Sequence, residues 1–174
     1  PIMSQRTRSS ETVFTGKVFS IHADRVRLPH GPETLMHVVR HPASVILIPM
    51  PDPAHIVLAR QYRYAIDEWL WELPAGSVDP GETAEEAAVR ECHEEIAKIP
   101  TRIERLDAWY PTPGYCDELM IFFKLTGLEA PDHPAEADED EDIEARVFTL
   151  SEARQLVQEG GVSDMKTAFG LTLL

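Results

Sequence analysis

The sequence predicts an α+β fold in which strands precede and follow one strongly marked helix. Side chains alternate between polar and apolar through residues 12–28 and 34–40, which is typical of half-buried strands. Two continuous apolar runs follow, at residues 44–49 and 55–59. The first clear helix start comes later, at Thr83. This order of strand and helix patterns predicts the α+β class.

The amino-terminal strands are predicted to form a small antiparallel sheet. Residues 17–21 and 24–28 carry the alternating pattern, and the chain reverses at the turn-forming sequence His30-Gly31-Pro32. We therefore expect an amino-terminal sheet over residues 1–42 and a main domain over residues 43–174.

The two apolar runs that follow are predicted to be adjacent buried strands, because only a turn at Pro51-Asp52-Pro53 separates them. Residues 68–73 predict a further strand. Its period of two divides the side chains between two faces, with Trp69, Trp71 and Leu73 on one and Glu68 and Glu72 on the other.

A helix is predicted over residues 84–97, because Thr83 and Glu86 have the spacing of a capping box. Its predicted apolar side consists of Ala88, Val89, Cys92 and Ile96. The later predicted elements are strands at residues 107–110 and 119–125 around a turn at 111–114, a helix at 151–159 with Ser151 as N-cap, and a final helix at 164–174.

Length, charge and cysteine content argue against several classes of protein. With 174 residues, the chain is long enough for one domain with its own core and a short extension. Its net charge is −14, and residues 129–144 hold nine acids and no base. This balance argues against nucleic acid as the main partner, because polyanions bind to clustered Lys and Arg. Two distant cysteines, with no signal-peptide core and no apolar span, predict a cytoplasmic protein without membrane association.

The most informative stretch joins a predicted strand end, a loop and the helix. Six of its residues stand at fixed separations: Gly76, Glu82, Arg90, Glu91, Glu94 and Glu95. At about 100° per residue, the last three glutamates fall in one sector about 100° wide, beside the apolar side of the helix. Carboxylates gathered there suit a hard divalent cation such as Mg²⁺, which prefers oxygen ligands. A solvated acidic helix with ion pairs four residues apart is the alternative interpretation.

This six-residue pattern resembles the signature of the Nudix hydrolases. The resemblance implies the Nudix fold, a mixed β-sheet in an α/β/α sandwich. The family pattern continues with a glycine and an aliphatic or aromatic residue, whereas this chain has Ala97 and Lys98. Because that glycine normally ends the helix in the left-handed region, Ala97 costs about 1 kcal/mol if the geometry is kept. Within the signature, Glu82 and Arg90 are expected to form an ion pair that fixes the loop onto the helix.

The resemblance also implies how a metal would be held. Glu91 and Glu95 correspond to metal ligands, and the backbone carbonyl of Ala75 completes the coordination shell. Glu94 is expected to support or share a metal and to count among the catalytic residues. Two or three Mg²⁺ ions are implied, and Mn²⁺ is expected to substitute for them.

Features outside the signature resemble one branch of the family, the ADP-ribose pyrophosphatases. Pro113 lies sixteen residues beyond Ala97, an offset typical of this branch. Pro113, Gly114 and Glu118 are accordingly expected to contact the substrate. Further resemblance lies in residues 72–76, 137–143 and 164–167. The branch implies a homodimer whose amino-terminal sheets are exchanged between subunits.

The acidic run is expected from this resemblance to supply the catalytic base. Glu139 occupies the place that the branch gives to the base, with Glu141 as the second candidate. By composition alone, such a run is more often a solvated segment. Its alternate aspartates also have the spacing of an EF-hand, but Ile143 stands at the required glycine and Thr149 at the bidentate glutamate, which excludes that site.

Candidate residues for binding the phosphates and the base of a nucleotide can also be named. Arg63 corresponds to a substrate-binding arginine of the family, and a planar guanidinium suits phosphate oxygens. An exposed salt bridge at a strand end is the alternative. The aromatic candidates for a nucleobase are Phe14, Phe19, Trp69 and Trp71, of which the two tryptophans fit a core position as well.

The primary hypothesis is a Mg²⁺-dependent enzyme that cleaves ADP-ribose to AMP and ribose 5-phosphate. Another nucleoside diphosphate sugar or a dinucleoside polyphosphate is the alternative substrate, because Tyr115 stands where hydrolases of the latter often carry a tyrosine. A non-catalytic nucleotide sensor is the alternative from a different class. Such proteins commonly lose signature carboxylates, all of which are present here.

Overall fold

The computed structural model describes residues 6–134 and 143–174, and the chain divides into two compact units. The first contains the residues up to Ala43 together with Tyr110–Leu119. The second contains Ser44–Trp109 and Met120–Leu174. The chain therefore passes from the second unit into the first and back again.

The first unit is built on a three-stranded antiparallel sheet. Its strands, in spatial order, are β1 (Thr7–Thr15), β2 (Ser20–Arg27) and β3 (Glu33–Arg40). The sheet starts before residue 12, where the sequence alternation begins. Residues 17–19 were predicted as strand but belong to the turn between β1 and β2, which is closed by a hydrogen bond from the Gly16 N–H to the Phe19 carbonyl (2.8 Å). A turn is required there because antiparallel neighbours run in opposite directions.

The second unit contains two sheets. The first has the order β7-β4-β9-β8 and consists of β4 (Ser44–Pro49), β7 (Ala75–Ser77), β8 (Ile99–Trp109) and β9 (Met120–Glu129). It is mixed, because β4 runs parallel to β9 and antiparallel to β7. The other sheet is antiparallel in the order β10-β5-β6, with β5 (His55–Arg63), β6 (Glu68–Glu72) and β10 (Glu144–Thr149).

The prediction that the two apolar runs form adjacent strands is wrong. The first run is β4, which lies between β7 and β9, and the second belongs to β5, which lies between β10 and β6. All six residues of β4 are buried. A strand that is buried on both faces has no alternation that would select its neighbour. β10 was not predicted at all, because its sequence continues directly from the acidic run.

Helices cover parts of the second unit. In the described residues they are α1 (Ala84–Ile96), α2 (Leu150–Gln158) and α3 (Met165–Gly170), the last followed by a 3₁₀ turn at Leu171–Leu173. The predicted capping box of α1 is formed, with hydrogen bonds in both directions between Thr83 and Glu86. Ser151 is not the N-cap of α2. Thr149 caps this helix in a second capping box with Glu152, because its extended backbone at the end of β10 suits the N-cap position.

The face of β6 that is buried lies opposite its tryptophans. Leu70 and Glu72 are buried, whereas Trp69 is 45% exposed and packs on Tyr62 with ring centroids 5.7 Å apart. Trp71 is partly buried against the core. Glu72 can occupy the buried face because cationic side chains neutralise its carboxylate.

The hydrophobic core of the second unit lies between its sheets and helices. Ile46 and Ile48 of β4, Leu58 of β5 and Phe122 of β9 are almost fully buried there, with Ala153 of α2. None of the described helices has the length and apolar character needed to cross a bilayer.

The end of α1 keeps the geometry of the family's glycine, with Ala97 at φ 51° and ψ 46°. Replacing Ala97 by Gly should raise the free energy of unfolding by about 1 kcal/mol, because this backbone strains an L side chain. Urea unfolding followed by circular dichroism measures the change. The control Ala84→Gly, in the first turn of α1, should lower stability by up to about 1 kcal/mol. A similar loss in both variants would contradict a strained cap.

Candidate functional site

One glutamate of α1 lies directly against the backbone of β7. Glu91 is 8% exposed, and a Cβ added to Gly76 would overlap its carboxylate. Only a glycine allows this approach. Gly76 is paired with Val45 of β4, so the mixed sheet fixes the backbone against which the Glu91 carboxylate lies.

Arg90 holds three of the four signature carboxylates together. Its Nε and Nη2 donate to Glu82, both at 2.9 Å, and Nη2 also donates to the carbonyl of Ser77 at 2.9 Å. Its Nη1 donates to Glu91 at 2.7 Å and to Glu94 at 2.9 Å. The hydrogen bonds to Glu82 are the main cause that raises the pKa of Arg90, so the guanidinium stays charged.

Glu82 ties the preceding loop to this arginine. Its carboxylate accepts the two bonds from Arg90 and a third from the Asp79 N–H at 3.0 Å. The Arg90 hydrogen bond keeps the pKa of Glu82 below its usual value, which favours the ionised form of the pair. The structure thus contains the ion pair that was expected to fix the loop onto the helix.

The last signature glutamate also reaches β7. Glu95 accepts a hydrogen bond from the Ala75 N–H at 3.3 Å. The predicted metal ligands Ala75, Glu91, Glu94 and Glu95 therefore lie on two neighbouring elements, α1 and β7.

These groups fit a hard divalent cation by their chemistry, because carboxylate and carbonyl oxygens are the ligands that Mg²⁺ prefers. Within residues 6–134 and 143–174, however, no three His, Cys, Asp or Glu side chains are arranged as a ready-made metal site. Arg90 Nη1 bonds to both Glu91 and Glu94. A cation would therefore have to share these two carboxylates with the guanidinium.

Arg63, the last residue of β5, is held by β6. Its Nε and Nη2 donate to the two carboxylate oxygens of Glu72 at 2.8 and 2.7 Å. The Arg63 side chain is 41% exposed, while that of Glu72 is only 4% exposed. The hydrogen bond to Glu72 raises the pKa of Arg63. A salt bridge at a strand end, the alternative predicted for Arg63, is thus present, but its carboxylate is buried and not exposed as that alternative had it. The guanidinium remains accessible to solvent.

The other predicted substrate contacts belong to the first unit. Pro113 and Gly114 lie in the segment between β8 and β9, and a Cβ added to Gly114 would meet nothing within 4 Å. The carboxylate of Glu118 is 4.0 Å from Nδ1 of His41. Glu118 thus lies near the residue that follows β3.

The first unit also contains a cavity of about 330 Å³. Phe19, Arg40, His41 and Asp117 are among the residues that line it. Arg40 donates to Asp117 at 3.1 Å. Phe19 is one of the aromatic residues considered for a nucleobase, and Phe14 packs beside it with ring centroids 6.1 Å apart.

The two predicted catalytic bases, Glu139 and Glu141, lie outside the described residues. Shortly before them, the backbone carbonyl of His133 accepts a hydrogen bond from Nε2 of His93 at 2.8 Å. His93 belongs to α1, so the chain is attached to the signature helix at this point.

Sequence reasoning assigned no role to two charged residues near Arg63. Glu72 lies in the strand with the tryptophans, and Lys166 lies in a segment, residues 164–167, that was noted only for its resemblance. Lys166 is 9% exposed and donates to Glu72. A period-two pattern that puts a glutamate opposite two tryptophans does not reveal that the glutamate is the buried residue.

Comparison with known proteins identifies relatives of nearly full length. A family model described as NUDIX domain matches residues 39–167. An ADP-ribose pyrophosphatase of Bacillus subtilis is 32% identical over 99% of this chain and 93% of its own length. A methanol dehydrogenase activator of Bacillus methanolicus is 32% identical over 99% and 94%, respectively. An ADP-ribose pyrophosphatase of Mycobacterium tuberculosis is 34% identical over 90% and 76%.

Among solved structures, one described as an ADP compounds hydrolase superposes with a TM-score of 0.82. It covers 96% of this chain and 90% of its own, at 22% identity. At this identity the likeness shows the fold, and the fold is the one that the sequence predicts.

Replacing Gly76 by Ala should destabilise the protein by about 1–3 kcal/mol, because the new methyl group would overlap the Glu91 carboxylate and one of them must move. Urea unfolding gives the change in free energy. Gly31→Ala is the matched control, since its Cβ would make only an ordinary contact of 3.5 Å with Leu28. Equal stability changes in the two variants would show that Glu91 does not need the space above Gly76.

Proposed function

This chain belongs to the Nudix hydrolase family, and from that premise we propose that it cleaves ADP-ribose to AMP and ribose 5-phosphate with Mg²⁺ as cofactor. The observation that carries the proposal is the approach of Glu91 and Glu95 to β7, with Glu94 bonded to the same arginine as Glu91. Glu91 lies against Gly76, Glu94 shares Arg90 with it, and Glu95 bonds to Ala75. Three carboxylates and a neighbouring carbonyl offer the oxygen ligands of a Mg²⁺ site.

Glu91, Glu94, Glu95 and the carbonyl of Ala75 would hold two or three Mg²⁺ ions, for which Mn²⁺ could substitute. When bound, the metal would polarise the pyrophosphate and neutralise the charge that develops on it. Arg90 and the Ala75 N–H hold the α1 carboxylates at fixed positions before the substrate binds. This is the preorganisation that electrostatic catalysis requires.

In the proposed reaction, a water oxygen attacks one phosphorus of the pyrophosphate and the bridging P–O bond breaks. Glu139 accepts the proton of the attacking water, with Glu141 as the second candidate. Arg63 binds phosphate oxygens through the part of its guanidinium that Glu72 does not use. One water is consumed, and each product keeps one phosphate.

ADP-ribose is proposed over other nucleotides because two relatives that match 90% or more of this chain are ADP-ribose pyrophosphatases. Pro113, Gly114 and Glu118 are proposed to contact this substrate. Neither nucleic acid nor a membrane is proposed as a partner, since the net charge is −14 and a cytoplasmic location is expected.

We also propose a homodimer in which the amino-terminal sheets are exchanged. The sheet supports this by its exposed apolar side chains, among them Val13 and Phe14 of β1 and Leu35 of β3. Light scattering should give about twice the mass of 19.6 kDa. A monomer at micromolar concentration would exclude the exchange.

The substrate is tested with the purified protein, Mg²⁺ and a panel of ADP-ribose, ADP-glucose, GDP-mannose, NADH and diadenosine polyphosphates. Products are resolved by chromatography. AMP and ribose 5-phosphate should form fastest from ADP-ribose, and chelation of the metal should stop the reaction. The absence of AMP from every adenine substrate, with Mg²⁺ and with Mn²⁺, would refute the proposed function.

Two isosteric variants should separate metal binding from proton transfer. Glu95→Gln should weaken Mn²⁺ binding at least about tenfold and lower turnover with it, because a carboxylate ligand is lost. Glu139→Gln should lower kcat by about 10²–10⁴-fold with Mn²⁺ binding retained, because only the base is lost. Titration calorimetry and initial rates measure the two effects. Full turnover in Glu139→Gln would move the base to Glu141 or elsewhere.

A further inference from the structure

A partly buried set of charged side chains joins α3 to strands β5 and β6. Lys166 of α3 donates to Glu72 of β6 and, at 3.0 Å, to Asp164, the N-cap of the same helix. Glu72 in turn accepts two bonds from Arg63. Two cations and two anions therefore balance each other in a place where an unpaired charge would be costly.

The same helix also fixes the backbone that leads into β7. The Leu73 N–H donates to Oγ1 of the fully buried Thr167 at 2.7 Å, and the Thr167 hydroxyl donates to Asp164 at 2.5 Å. α3 approaches so closely that a Cβ added to Gly170 would overlap the Leu73 side chain. Leu73 lies two residues before Ala75, the proposed metal ligand. α3 therefore supports the backbone that leads to Ala75 and, through Glu72, the proposed phosphate ligand Arg63.

The orientation of Arg63 depends on Glu72. Among the described residues, Glu72 is the hydrogen-bond partner of this guanidinium, and it uses Nε and one N–H of Nη2. The three other N–H groups of the planar guanidinium stay outside this fork. An arginine held along one edge loses less side-chain entropy when an anion binds to the other edge.

Glu72 itself needs a second cation. Burial raises the pKa of Glu72, but the bonds and charges of Arg63 and Lys166 outweigh this effect and bring the pKa below its usual value. Without Lys166, the buried carboxylate would face Arg63 alone. It would then either admit water or draw the whole guanidinium inward, and both changes would alter the edge of Arg63 that faces the solvent.

We propose that Lys166 is a positioning residue that acts through Glu72 to hold Arg63 in the orientation that binds the phosphates of the substrate. This role rests on the proposed function, in which Arg63 contacts a phosphate group. Lys166 itself touches no substrate in this arrangement, because its side chain is 9% exposed and its ammonium is bonded to Glu72 and Asp164.

Steady-state kinetics with ADP-ribose tests the proposal. Lys166→Met, which removes the charge and keeps an apolar stem, should lower kcat/KM on the order of tenfold, mainly by raising KM. Lys166→Arg should recover most of this loss. Lys124→Met is the matched control, because this lysine of β9 forms no ion pair among the described residues, and it should leave kcat/KM unchanged.

A double-mutant cycle separates positioning from general destabilisation. In an Arg63→Ala background, Lys166→Met should change kcat/KM less than about twofold, because the arginine through which Lys166 affects substrate binding is absent. The same fold-loss in both backgrounds would overturn the proposal. If Lys166→Met does not fold, Lys166→Gln, which retains a hydrogen-bond donor, is compared in the same two backgrounds.

A readout that needs no substrate distinguishes this inference from the proposed function. In protein labelled with ¹⁵N-arginine, the Nε–H signal of Arg63 is assigned by its loss in Arg63→Ala. Its hydrogen exchange should be slow in the parent protein and in Lys166→Arg, and faster in Lys166→Met. Unchanged exchange in Lys166→Met would overturn the positioning role even if ADP-ribose is cleaved. Failure of the parent protein to cleave ADP-ribose would instead refute the proposed function.

Discussion

The contact on which the candidate site depends is the guanidinium of Arg90 among three carboxylates. Glu82, Glu91 and Glu94 all accept bonds from it, and so does the carbonyl of Ser77. Without a cation at this point, the three negative charges would repel one another. With Arg90 in place, the loop, the helix and the edge strand are held together by one planar group. A cation bound beside α1 would share the carboxylates of Glu91 and Glu94 with Arg90, which uses one oxygen of each.

A second arginine, Arg63, is also held by a carboxylate, but its guanidinium stays partly exposed. Arg63 is held by a fork to the buried Glu72, as Arg90 is held to Glu82, but it belongs to a strand end and keeps 41% of its side-chain surface exposed. The segment between Glu72 and Ser77 connects the two arginines within six residues. It is supported from one side by α1 and from another by α3. A small displacement of this segment would therefore disturb both halves of the site.

The charge of the protein explains why such a site would require metal ions. The chain carries a net charge of −14, and both arginines of the site are paired with carboxylates. An anionic pyrophosphate would be repelled by this surface, because the field of the whole chain acts on a charged ligand. In the proposed function, divalent cations held by the α1 glutamates would reverse the local sign, and Arg63 would orient the substrate. The acidic composition and a phosphate substrate are thus compatible.

Features that depend on neighbours a few residues apart could be predicted from the amino-acid sequence. The spacing from Gly76 to Glu95 placed the glutamates on one side of α1 because helical periodicity is local, and the capping box of Thr83 fixed where that helix begins. The family resemblance was carried by the same residues. Tertiary structure decided what depends on distant partners. It separated β4 from β5, added β10, moved the cap of α2 to Thr149 and buried Glu72. Strand pairing and the neutralisation of a buried charge are set by residues far along the chain, such as Lys166 opposite Glu72, and no local pattern records them.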